Sequence, residues 1–129
     1  MQIKAIIIDD EESAREGLTN LLKNYAKDVL VVAEASSVAK GLEVLQSTKP
    51  DIVFLDIKLS PGTGFDLLEK LKEINFEIIF TTAYDNYALK AFTFSALDYF
   101  LKPIIPVELK APLEKVRKKM IGKLKGKLS

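Results

Sequence analysis

Short apolar runs recur along the chain at Ile3–Ile8 and at residues 29–33, 52–55, 78–80 and 97–101. They are too short for ordinary helices and are bounded by polar or turn-forming residues, so five strands are predicted. The segments between them have helical spacing. Ala14, Leu18, Leu21, Leu22 and Tyr25 form one stripe; Val38, Leu42 and Leu45 form a second; Leu67, Leu68, Leu71 and Ile74 form a third. A fourth helix is predicted over 86–95, and a fifth is marked by Leu109, Leu113, Val116 and Met120. Strand and helix therefore alternate throughout. Strands that are apolar on both sides must be covered on both faces, as parallel strands joined by crossover helices are. The predicted fold is an α/β three-layer sandwich around a parallel five-stranded sheet.

Such a sheet delivers the carboxyl end of every strand to one edge, where ligands bind. The first strand ends in Asp9 and Asp10, the third in Asp56, the fourth in Thr81 and Thr82, and the fifth in Lys102. Three neighbouring carboxylates repel one another unless something positive joins them. Oxygen donors without histidine or cysteine suit Mg²⁺, whereas the twelve-residue loop of a calcium site is missing. Asp56 is the candidate nucleophile, because a carboxylate can take a phosphoryl group. Lys102 and Thr82 offer a cation and a hydroxyl donor to phosphoryl oxygens. Taken singly, each residue also has a plain structural reading: Asp9 to Glu12 as complements to a helix dipole, Asp56 and Thr82 as caps, Lys102 as a surface lysine. The combination is what points to chemistry, and Glu11 and Glu12 keep the helix-opening role.

Composition narrows the choice. At 129 residues, 48% hydrophobic and 29% charged, the chain has the size and make-up of one globular domain. It has no cysteine and no histidine, which removes disulfides, thiolate and histidine metal sites, and histidine-based nucleophile systems. No apolar run is long enough to span a bilayer and no leader follows Met1, so no membrane role and a cytoplasmic location are expected. All 18 acidic residues lie at or before Glu114, while seven of the 19 basic ones lie from Lys115 onward. The basic end reads as a helix fraying into a linker, with a solvated face favoured over a nucleic-acid contact.

The stretches "IIIDDEES", "DIVFLDIKLSPGTGFDLL" and "FTTAYDNYALKAFTFSALDYFLKPI", with strand ends in the order Asp-Asp, Asp, Thr, Lys-Pro, resemble the receiver domain of two-component response regulators. The likeness covers residues 3 to about 120, and "YALKAF…ALDYFLKPI" is closest to receivers of the LytTR (LytR/AlgR) type. It implies a flavodoxin-like, doubly wound (βα)₅ fold with strand order 2-1-3-4-5. Residues 1–120 would be the receiver, and 121–129 a basic linker or tail toward an output domain absent from this chain.

That resemblance also assigns roles. Asp56 would be the phosphoacceptor; Asp10 a direct Mg²⁺ ligand, Asp9 a ligand mostly through water, and the backbone carbonyl of Lys58 a further ligand beside Asp56. Thr82 would be the switch hydroxyl, with the Ala83 backbone N–H beside it, while Thr81 points the other way because side chains alternate along a strand. Lys102 would bind the phosphoryl group, the Lys102–Pro103 peptide would be cis, and Tyr99 would be the aromatic that follows the switch hydroxyl inward. Two departures stand out: Ser60 occupies the usual proline position with Pro61 one later, and Pro112 falls inside the last helix, where it would kink the helix or mark its start.

The implied function is transfer of a phosphoryl group from a sensor histidine kinase to Asp56 with Mg²⁺ present. The face of the fourth helix, fifth strand and fifth helix would then switch, with homodimerisation there and transcription controlled through a LytTR-type DNA-binding domain. Such a domain is a signalling phosphoprotein that supports only its own phosphorylation and dephosphorylation, not an enzyme. Two rivals stay open. One is a stand-alone or degenerate receiver acting as an interaction module. The other is a haloacid-dehalogenase-like phosphatase, which wants a second acid where this chain has Lys58.

Overall fold

Continuous apolar runs become strands sandwiched between two helical layers in the computed structural model, which describes residues 1–128. Strands β1 (Ile3–Ile8), β2 (Val29–Ala35), β3 (Ile52–Asp56), β4 (Glu77–Thr82) and β5 (Asp98–Leu101) form one sheet. All its ladders are parallel and its order is β2-β1-β3-β4-β5, the doubly wound arrangement expected.

The period-two alternation of a strand sorts the core into two halves. Ile3, Ala5 and Ile7 of β1, Ile52 and Phe54 of β3, Ile79 of β4 and Phe100 of β5 pack on one side with helices α1 (Glu12–Tyr25) and α5 (Lys110–Leu128). Ile6, Ile8, Val53, Leu55, Ile78 and Phe80 pack on the other side, against α2 (Val38–Ser47), α3 (Gly64–Glu69) and α4 (Ala88–Thr93). Burying a residue such as Phe54 or Ile6 completely contributes about 1.5–3 kcal/mol, and every residue of β3 is buried. A polar substitution within β3 would therefore break the sandwich from its centre.

Local signals set the ends of the elements. Ser37 caps α2 by accepting from the Lys40 amide at 3.1 Å, and Thr63 and Asp66 form a reciprocal capping box at the start of α3. Helix α4 is shorter than the predicted span, because Ser95 stands at φ 58°, in the left-handed region that ends a helix. Helix α3 also stops early, so Leu71 and Ile74 of its predicted stripe lie beyond it.

Pro112 sits in the first turn of α5, where no intrahelical N–H is required, and a 3₁₀ turn over Pro106–Leu109 leads into it. The helix continues to Leu128, through most of the span expected to fray into a linker; Ser129 lies outside the described residues. Ser60 and Pro61 form the tip of a small hairpin in which Lys58–Leu59 pairs antiparallel with Gly62–Thr63. Two peptides are cis, Lys102–Pro103 and also Ser60–Pro61.

Candidate functional site

The alternation that sorts the core also builds the site. Two residues past Ile7, Phe54 and Phe100 come Asp9, Asp56 and Lys102, so their side chains leave the sheet toward the same side at its carboxyl edge. They meet there. The Lys102 Nζ donates to Asp9 Oδ2 at 2.7 Å and to Asp56 Oδ2 at 3.1 Å. Asp9 and Asp56 are only 3% and 5% exposed, so a single ammonium serves as counter-ion to two buried carboxylates. Asp10 is exposed, but its carboxylate joins those of Asp9 and Asp56, with one oxygen from each lying within 4.8 Å of the others.

The other oxygen of each buried carboxylate accepts from a backbone amide. The Ile57 amide donates to Asp56 Oδ1 at 2.7 Å, leaving Oδ2 toward Lys102. The Glu11 amide donates to Asp9 Oδ1 at 2.9 Å, which turns the chain into α1. Burial pushes the Asp56 carboxyl up from its ordinary value, the like charge of Asp9 adds to this, and Lys102 opposes it. Burial alone would lower the Lys102 ammonium, but its bonds to Asp9 and Asp56 outweigh that and hold it raised. An oxygen-only donor set, crowded enough for like charges to disturb one another, fits a hard divalent cation such as Mg²⁺.

Thr82 is fully buried at the end of β4, where it accepts from the Tyr84 amide through Oγ1 at 3.3 Å. Its carbonyl accepts from the Lys102 amide at 2.8 Å, which ties β4 to β5. The residue opposite Asp56 in the ladder is Thr81, and the Thr82 hydroxyl is engaged with the loop after it. Ala83 follows on the exposed side of that loop. The Tyr99 hydroxyl donates to the Tyr84 carbonyl, and burial raises its phenol. Lys58 is exposed at the rim, with its ammonium 5.3 Å from the Tyr84 ring centroid and 5.5 Å from that of Tyr87. No second acid therefore stands two residues after Asp56.

The sequence matches the response regulator receiver domain family over residues 5–114. The chain belongs to that family. It is 46% identical over 117 residues to the sensory transduction protein LytT of Enterococcus faecalis, an alignment covering 89% of this chain and 48% of that protein. To LytT of Bacillus subtilis it is 40% identical over 118 residues, covering 90% of this chain and 48% of the relative. Both agree with the LytTR-type resemblance. The chain thus spans about half the length of these curated relatives. Among solved structures, the receiver domain of AraT, a response regulator from Geobacillus stearothermophilus, superposes with a TM-score of 0.82 at 30% identity, covering 96% of this chain and 99% of that one.

Three residues that shape this receiver's site escaped the sequence reading. Gly64 opens α3 so close to β3 that an added Cβ would stand 2.4 Å from the Asp56 carbonyl oxygen. Arg15 and Glu34 support the end of β1 from α1 and β2. Their contacts depend on how α1, β2 and α3 lie against β1 and β3, so no local pattern marks them.

Proposed function

We propose that this receiver accepts a phosphoryl group on Asp56 from a sensor histidine kinase and switches the surface formed by α4, β5 and α5. The observation that carries the proposal is the buried Asp56 carboxylate. One oxygen is fixed by the Ile57 amide; the other meets Lys102 within reach of Asp9 and Asp10. With Oδ1 held, Oδ2 is the attacking oxygen: it bonds to phosphorus as the bond from phosphorus to the donor nitrogen breaks. Asp9, Asp10 and Asp56, with the Lys58 carbonyl, would hold Mg²⁺, which when bound neutralises phosphoryl oxygens. Lys102 keeps Asp56 ionised before transfer and donates to the phosphoryl group after it.

Transfer adds negative charge beside Lys102 and Thr82. The Thr82 hydroxyl leaves the Tyr84 amide and donates to a phosphoryl oxygen, supported by the Ala83 N–H. Tyr99 then releases the Tyr84 carbonyl and follows inward. The equilibrium shifts only by as much as the phosphorylated site fits one state better than the other.

The output reading rests on the same face. Leu89 and Phe92 of α4, Leu101 of β5, and Ile105 and Val107 before α5 are exposed apolar residues, a surface suited to a homodimer. DNA would be reached through a LytTR-type domain outside this chain, in keeping with relatives about twice as long, and in the cytoplasm. No helix among the described residues is long and apolar enough to cross a membrane.

Incubation with acetyl phosphate and Mg²⁺, followed by intact mass, tests the proposal. The wild type should gain a phosphate-sized adduct and Asp56→Asn should not. A wild type without the adduct would overturn the reading.

A further inference from the structure

Arg15 reaches back from the first turns of α1 to the strand that carries the aspartate pair. Its side chain is only 17% exposed, and it spends its donors on two groups. Nη1 donates to the Asp9 carbonyl oxygen at 2.7 Å, and Nε donates to Glu34 Oε1, on β2, at 3.2 Å. The Asp9 amide is itself held by the Ala35 carbonyl at 3.0 Å. Both peptide planes flanking Asp9 are therefore fixed from β2, one directly and one through Arg15.

The second of those planes leads into Asp10. Among the described residues no hydrogen bond reaches the Asp10 carboxylate, so the backbone at Asp10 sets where its side chain starts toward Asp9 and Asp56. A peptide plane held at its carbonyl is restrained in rotation, and because the unit is planar the place of the following Cα is restrained with it.

We propose that Arg15 is a positioning residue for the divalent-cation site, holding the peptide between Asp9 and Asp10 so that the three carboxylates converge. Glu34 has two parts in this. It fixes the guanidinium, and it neutralises a positive charge that would otherwise oppose the cation. The inference rests on reading Asp9, Asp10 and Asp56 as a cation site.

The sign of one substitution separates this role from its competitors. Were Arg15 only a nearby charge, Arg15→Ala would tighten Mg²⁺ binding; were it only a structural prop, affinity in the folded variant would not change. Positioning instead weakens binding even though a repelling charge is removed. A loss of about tenfold is expected, the lower end of what supporting groups around metal ligands confer. Titration of ¹⁵N-labelled protein with MgCl₂, followed by amide shifts in NMR spectra, measures affinity and shows whether each variant is folded.

Arg15→Lys keeps the charge but cannot make both bonds, and should fall between wild type and Arg15→Ala. Unchanged or tighter binding in folded Arg15→Ala would overturn the proposal. If that variant does not fold, Arg15→Lys decides: weaker binding supports the role and wild-type affinity ends it. A wild type whose Asp9, Asp10 and Asp56 amides do not respond to Mg²⁺ would instead remove the cation site itself.

Discussion

Replacing Gly64 by alanine should damage the site from behind. The added Cβ would lie 2.4 Å from the Asp56 carbonyl oxygen and 2.9 Å from Leu55 Cγ, where ordinary contact begins at 3.4 Å. The first neighbour is backbone of the last residue of β3, still paired with Thr81 in the ladder, and cannot swing aside as a side chain could. Either α3 or the end of β3 must move, by roughly 1 Å, and a misplacement of that size in a reacting group costs about 10²-fold in rate. Overpacking in a close-packed core adds about 3 kcal/mol of destabilisation. For a domain of this size that is roughly a 12 °C fall in Tm. Thermal denaturation reads the second quantity. The rate of adduct formation with acetyl phosphate and Mg²⁺, measured at a temperature where the variant is folded, reads the first. A Gly64→Ala protein with wild-type Tm and wild-type phosphorylation would refute the steric reasoning. Loss of stability with an unchanged rate would show that α3, not Asp56, had given way.

Lys102→Met should leave Asp9 and Asp56 buried without their shared cation, costing about 3 kcal/mol in urea denaturation, and Mg²⁺ should stabilise this variant more than the wild type; a loss under about 1 kcal/mol would count against the counter-ion role. Asp28 accepts two bonds from Arg117, at 2.6 and 2.7 Å, and these hold its carboxyl below the ordinary value. Because the folded pKa is the depressed one, the pair's contribution is full above the unfolded value of about 3.9 and is lost as pH falls toward the folded value. Being partly exposed, it should amount to about 1 kcal/mol, and Asp28→Asn should remove that acid-dependent part of a urea denaturation series. The Lys58 ammonium and the Tyr84 ring cover the rim, so Lys58→Ala combined with Tyr84→Ala should shorten the lifetime of the phosphoryl group, followed by loss of label; an unchanged lifetime would show that they do not hinder water.

Much of the molecule was legible because its central strands β1, β3 and β4 are covered on both sides. An apolar run such as 52–55 has few alternatives to a buried parallel strand, and once five runs alternate with helical stripes the carboxyl edge follows. Asp9, Asp56 and Lys102 were readable because they end strands. Helix limits were harder. The apolar spacing from Leu67 to Ile74 continues past the end of α3, because periodicity registers apolar residues whether or not the backbone is still helical. Ser95 stops α4 by adopting a left-handed conformation for which serine is no special signal. Arg15 and Glu34, 19 residues apart, meet only because β2 lies beside β1, and topology has to be known before such a pair can be seen. Gly64 was visible only as a glycine in a loop; its necessity comes from how closely α3 approaches β3.

Helix α4 buries a single residue, Ala91, while Leu89 is 85% and Phe92 64% exposed. A six-residue helix has little intrinsic stability of its own, so almost nothing but that one anchor and the flanking loop opposes its opening. Local unfolding free energy should accordingly be low here, and amide hydrogens of residues 88–93 should exchange with solvent well before those of β3. A region already close to balance between ordered and open forms is also one that a modest electrostatic event a short distance away can tip, without the core of the sheet being disturbed.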